Sequence, residues 1–138
     1  SDAVVRRSSK CLSSDVNAAY DPNFAEVHER RNSCFANGGV VITKFTGSRG
    51  KSGSNDASAE FMGFVRSVLD DAGVVWQTSE LGKVDAGGGG TVAMYIAQKN
   101  VDVVDLGVPV LSMHAPYEVV AKTDVYMTHK AIAAFFAK

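Results

Sequence analysis

Residues Gly87–His114, GGGGTVAMYIAQKNVDVVDLGVPVLSMH, carry the pattern that decides the fold. Four glycines open onto Thr91–Asn100, which reads as a helix of about three turns. Val101–Pro109 follows as a buried strand, and Val110–His114 as a second short strand that ends in a histidine. A helix passing directly into a buried strand is the repeating unit of an α/β sheet.

The flanking sequence extends that pattern. In ASAEFMGFVRSVLDDAG, Phe61, Phe64, Val65, Val68 and Leu69 recur at helical spacing, with Asn55 and Asp56 as candidate N-caps and Gly73 as the stop. Val74–Glu80 reads as a strand by composition, and so does GVVITKFTG over residues 39–46. A polar Gly/Ser loop, GSRGKSGSND, joins the latter to the helix. Residues 9–15 form a short strand whose C-terminal end carries Asp15. The turn Asp21-Pro22-Asn23 and the charged patch EVHERRN mark the next stretch as loop with a helical turn. Residues 119–138 form a terminal helix with Val125, Ile132, Phe135 and Phe136 on its apolar side. The fold class is α/β, with helices packed on the faces of a sheet, and a chain of 138 residues fits one domain with a core of its own.

Charge and hydropathy exclude several functions. Lys plus Arg number 14 against 15 Asp plus Glu, so a formal charge of -1 gives no general attraction to nucleic acid or to an anionic membrane. The apolar run VVDLGVPVL falls short of the roughly 20 residues a membrane span needs. SDAVVRRSSK lacks the apolar core of a signal peptide. Cys11 and Cys34 form no CxxC or Cys/His cluster, which suits buried reduced thiols and a cytoplasmic protein.

The glycine run admits a phosphate or a peptide. A P-loop needs G-x-x-x-x-G-K-[ST], and here Thr91-Val92 follows Gly90 while the next lysine is Lys99, over two helical turns on. A plain turn explains one or two glycines but not four, since each costs roughly 0.5–1 kcal/mol of extra chain entropy; close approach of a ligand backbone explains more. His114, beside Pro116, is by itself an ordinary loop histidine. Glu118, four residues on, is placed to orient an imidazole, and open α/β sheets bind ligands at the C-terminal ends of strands. Asp15 ends its strand in the same way. Lys44 is a solvated edge side chain unless its strand end reaches a cleft; Arg49 and Lys51 are surface charge, and His28 and His129 belong to polar faces.

Four blocks converge on one family. LSSDVNAAYDPNF, GVVITKFTGSRGKSGSNDA, DAGGGGTVA and VDLGVPVLSMHAPYEV resemble, in order and spacing, the C-terminal half of the catalytic domain of the aspartyl aminopeptidase and vacuolar aminopeptidase I family of di-zinc exopeptidases. The resemblance covers nearly the whole chain. It implies part of a three-layer α/β/α zinc-exopeptidase domain with a mixed sheet, and removal of N-terminal amino acids from peptide substrates by a co-catalytic zinc pair. Cobalt or manganese would be possible substitutes. It further implies a homo-oligomer, a dodecamer in the full-length enzyme. Carried over, Asp15 of SSD is a ligand of one zinc and His114 of SMH of the other, Glu118 stands behind the imidazole, and Lys44, Gly88 and Gly89 meet substrate.

Two departures limit the carry-over. Ala18 stands where aspartyl aminopeptidases carry a histidine, and their pocket tyrosine falls near Ser52, so a preference for acidic N-terminal residues is not implied. The family's remaining metal groups and its catalytic glutamate lie upstream, and none can be placed in these residues. Residues 1–138 are therefore expected to be the C-terminal half of a metallo-aminopeptidase catalytic domain, with the general base outside it and no activity alone. The alternative is a small stand-alone α/β binding module whose glycine loop holds a nucleotide or other anion.

Overall fold

The computed structural model describes residues 1–49 and 52–138; Lys51, read above as surface charge, lies outside the described residues. The chain runs α1 (Asp2–Arg7), β1 (Lys10–Ser13), β2 (Asn17–Ala18), β3 (Val40–Thr43), β4 (Phe45–Ser48), β5 (Ser52–Asp56), α2 (Ala59–Asp71), β6 (Trp76–Thr78), β7 (Gly88–Gly89), α3 (Ala93–Ala97), β8 (Asp102–Gly107), β9 (Pro109–Val110) and α4 (Lys122–Phe136). Two 3-10 stretches, Pro22–Val27 and Arg30–Asn32, supply the helical turn expected after β2.

The main sheet has the order β1-β8-β3-β6. β8 lies parallel to β1 and antiparallel to β3, and β3 lies parallel to β6, so the sheet is mixed. Alternation along the strands divides its two faces. Val40, Ile42, Val104 and Leu106 face α2 and α4, where they pack with Phe61, Val65, Leu69 and Ala131. Val41 faces the other way, against Ala19 and Cys34. On that second face the register places Ser13 beside Asp105 and Asp105 beside Thr43, so one face is apolar while the other carries a polar row. No helix among the described residues is long and apolar enough to cross a membrane.

Several elements differ from their sequence reading. The strand placed at 39–46 is two strands in two sheets. Lys44 sits at the break, where its carbonyl accepts from Ala57 N at 2.9 Å, and β4 turns away to join the sheet β5-β4-β7. Asn55 and Asp56 are taken up by pairing with Thr46 and Phe45, so α2 is capped instead by Ser58, whose Oγ accepts from Phe61 N at 3.1 Å. Gly73, with φ +61, ends α2 as read. α3 spans only five residues: Val92 at its N-cap makes no side-chain cap bond, and Asn100 takes a left-handed conformation just beyond its end. On α4 the buried stripe is Asp124, Thr128 and Ala131, flanked by Ile132 and Phe135, while Val125 and Phe136 face outward. Cys34 is buried, which pushes its thiol up to about 11, whereas Cys11 is only half-buried.

Asp124 shows why a charged residue occupies that stripe. It is 1% exposed, and its two carboxylate oxygens accept from Asn37 N at 2.6 Å and Gly39 N at 2.8 Å. Those bonds fasten the turn leading into β3 to the start of α4, and Thr123 Oγ1 adds a bond to Asn37 Oδ1 at 2.5 Å. Replacing Asp124 by Ala leaves two amides without acceptors, so Asp124→Ala should lose about 3 kcal/mol in urea unfolding of the complete protein. A loss under about 1 kcal/mol would show that the turn holds without its carboxylate.

Candidate functional site

Beyond the main sheet, β1 continues into β2 and β8 into β9. The register is the same on both sides of the gap, Ser13 to Asp105 and Asn17 to Pro109, which sets Gly107 opposite Asp15. A Cβ on Gly107 would run into the Asp15 carbonyl oxygen. Asn17, buried on this side, donates from Nδ2 to Thr43 Oγ1 at 2.6 Å and accepts at Oδ1 from Ser79 Oγ at 3.2 Å, anchoring the chain two residues past the acid. Asp15 itself stays exposed, with Oδ1 accepting from Val16 N at 2.8 Å.

His114 reaches the same end of the sheet from β9. The strand expected over 110–114 stops at Val110; Leu111 and Val119 then exchange bonds of 2.9 and 3.1 Å, closing the loop between them. Within it Ser112 and His114 both take positive φ, +60 and +67. Glu118 reaches His114, but at the main chain: Oε1 accepts from the His114 amide at 2.6 Å. It therefore fixes the backbone of the histidine, where an imidazole contact was expected.

Asp15 and His114 line one cleft of about 380 Å³, and Gly88, Gly89 and Thr91 form part of its wall. His28 lines it too, although its sequence suggested only a polar face. The turn at Asp21 brings it back: Asp21 N donates to His28 Nε2 at 3.4 Å, and the ring sits 5.4 Å from that of Tyr20. Only the Asp-Pro-Asn turn hinted at that return. Lys44 is not in the cleft. It is ion-paired with Asp56 and lines a pocket of about 240 Å³ with Arg31 and Glu80. Glu80 also lines a third pocket, which shares Leu81, Gly82 and Gly88 with the cleft.

The glycines divide into two kinds. Gly88 has φ +100, and a Cβ there would strike the Gly47 carbonyl oxygen of β4. Gly89 has no such φ, and its nearest neighbour would be Leu81 Cδ1 at 3.9 Å. Instead of opening a helix, the pair forms a strand against β4. With α3 so short, the phosphate cradle of the alternative reading has no helix N-terminus to draw on.

Below this wall lies Asp105, which the sequence reading passed over. Thr91 Oγ1 donates to its Oδ2 at 2.8 Å. Burial pushes its carboxyl above the ordinary value; the hydroxyls of Ser13 and Thr91 pull it back, and the negative charge of Asp15 pushes it up again. Among the described residues no group of three or more His, Cys, Asp or Glu side chains stands close enough to hold a metal ion.

A family model described as aminopeptidase I zinc metalloprotease (M18) matches residues 1–136. The chain belongs to the M18 aminopeptidase family. It is 52% identical over 127 residues to a probable M18 family aminopeptidase 1 of Clostridium acetobutylicum, covering 92% of this chain and 27% of that protein. The crystal structure of aminopeptidase I from that organism superposes with a TM-score of 0.88, over 91% of this chain and 28% of that one. The M18 aminopeptidase structure from Thermotoga maritima gives a TM-score of 0.92 at 43% identity, over 96% of this chain and 29% of that one. An mApe1 dodecamer from S. cerevisiae shares the fold, with a TM-score of 0.78 at 24% identity over 99% of this chain and 28% of that one. The M18 chain thus spans less than a third of the length of these relatives.

The two kinds of glycine respond differently to substitution. In the complete protein, Gly88→Ala should lose about 2–3 kcal/mol of stability through strain and overlap with β4, whereas Gly89→Ala should stay within about 1 kcal/mol of the parent. Equal losses in urea titrations would mean that both are held by packing alone.

Proposed function

We propose that the complete protein is a zinc-dependent aminopeptidase that removes N-terminal amino acids from peptides by two-metal hydrolysis, and that residues 1–138 form the C-terminal half of its catalytic domain. The observation that carries this reading is that Asp15 and His114, from the ends of separate strands, line one cleft with the Gly89 main chain. Their donor chemistry suits zinc, which takes carboxylate oxygen and imidazole nitrogen. Asp15 leaves one carboxylate oxygen free of its Val16 bond, and Glu118 holds His114 by the backbone, leaving the ring unencumbered. Two donors are too few for even one catalytic zinc, which takes three protein ligands. The remaining ligands and the general base are assigned to parts of the protein outside these residues, in keeping with relatives more than three times as long. When bound, the metal pair supplies Lewis acidity to the scissile carbonyl and a water of lowered pKa.

The chain's own residues hold the substrate. A peptide laid along the wall of the cleft meets main chain at Gly89, where a side chain would intrude into the path. Lys44 would meet a more distant part of the substrate, from the pocket it lines with Glu80. The complete protein is a homo-oligomer on this reading, a dodecamer by likeness to the yeast assembly. Two cysteines without a disulfide suit the reducing cytoplasm. Zinc is the metal expected from the family description, with cobalt or manganese as substitutes.

Metal analysis of the complete protein tests the assignment. Asp15→Ala and His114→Ala should each lower zinc per subunit and reduce kcat/KM by about a thousandfold or more, with folding retained. Parent-level zinc in either variant would remove that residue from the ligand set. The 138-residue chain alone should turn over no aminoacyl substrate with added zinc, and chelator-sensitive turnover by it would contradict the proposed division of the site.

A further inference from the structure

Asp105 is the one ionisable residue on the buried stretch of β8 and is 3% exposed. It lies on the polar face of the sheet, away from α2 and α4. A strand packed on both faces gains most from apolar side chains there, and an ionisable group costs stability unless it is fully partnered. Asp105 is not fully partnered: Oδ2 accepts from Thr91, while Oδ1 and the hydroxyl of Ser13, its neighbour in the sheet, have no hydrogen-bond partner. A costly group retained at such a place marks a site where function overrides stability.

One of its two neighbours lines the cleft, and the other lies on the strand that leads to Asp15. Ser13 is two residues from Asp15, on the strand end that carries the acid. Thr91 follows the glycine run and lines the cleft itself, and its Oγ1 also accepts from Ala93 N at 3.3 Å at the start of α3. A glycine segment has no side chains to pack and large freedom to lose. Gly88 and Gly89 both pair with β4 and Gly90 lies against the Gly53 carbonyl, but no side chain of the segment packs, and the space beside Gly89 is nearly open. The first side chain able to fix this end of the segment is Thr91.

We propose that Asp105 is a positioning residue of the aminopeptidase site: through Thr91 it tethers the Gly89–Gly90 main chain at a set distance from the strand end bearing Asp15, and so fixes the width of the peptide path. This rests on the aminopeptidase reading above. The raised carboxyl pKa agrees with a group held at some energetic cost.

The test uses the complete, zinc-loaded protein and pairs kinetics with amide hydrogen exchange. Thr91→Val removes the hydroxyl without changing side-chain shape. It should raise KM about tenfold with kcat altered less than about threefold, and speed exchange at Gly88–Thr91 by about tenfold or more, while zinc content and exchange in α2 and α4 match the parent. Thr91→Ser should rescue both readouts. Asp105→Asn retains an acceptor for Thr91 and should stay near the parent, whereas Asp105→Leu should reproduce Thr91→Val, with no further loss in the double variant. If Asp105→Leu fails to fold, the Thr91→Val and Thr91→Ser pair decides. Parent-like exchange at Gly88–Thr91 in Thr91→Val overturns the tether, as does a lowered melting temperature accompanied by unchanged KM. Faster exchange in a protein whose parent shows no aminopeptidase activity supports the tether and defeats the aminopeptidase reading alone.

Discussion

The site depends on a side chain that is missing. Opposite Asp15 the neighbouring strand carries Gly107, and the Asp15 carbonyl occupies the space where a Cβ would stand. That contact lets β1 and β8 run on as β2 and β9 without a change of register. The Asp15 carboxylate is thereby presented at the strand ends, and the same continuation leads β9 into the loop bearing His114. An alanine at 107 would push the acid's main chain away from the sheet and disturb the approach of Asp15 to the His114 loop.

Around this crossing the sheet divides its work by face. The face toward α2 and α4 is apolar and supplies most of the burial, through Val40, Ile42, Val104 and Leu106. The opposite face carries Ser13, Thr43 and Asp105, tied by Asn17, Ser79 and Thr91 to the loops that shape the cleft. Asp124 plays the corresponding part on the helix side, holding the entry to β3 with two charge-assisted bonds. Stability thus comes mainly from one face, and the other is free to place polar groups where chemistry requires them.

Much of this was legible in the sequence, for physical reasons. α2 has a continuous apolar stripe and a glycine stop, and β8 is an apolar run, so both emerge from periodicity. That Asp15 and His114 come to one end of the sheet was legible because both follow short strands, and strand ends are where α/β sheets form clefts. What was hidden depends on partners distant along the chain. Nothing local in VVITKFTG says that Lys44 is the corner between two sheets. The reason for Gly88 is the carbonyl of Gly47, some forty residues earlier. His28 enters the cleft through a turn whose geometry composition alone does not give. Asp105 had a usable signal, an acid set between Val104 and Leu106 two residues before a glycine, and the sequence reading passed over it.

The most direct measurement is a crystal structure of the complete protein with zinc, with the metals located by anomalous scattering at the zinc edge. The account predicts one zinc within about 2.0–2.2 Å of an Asp15 carboxylate oxygen, a second at a similar distance from a His114 ring nitrogen, and the two about 3.5–4 Å apart beside the Gly88–Thr91 wall. Zinc bound away from this cleft, with Asp15 and His114 free of metal, would contradict it.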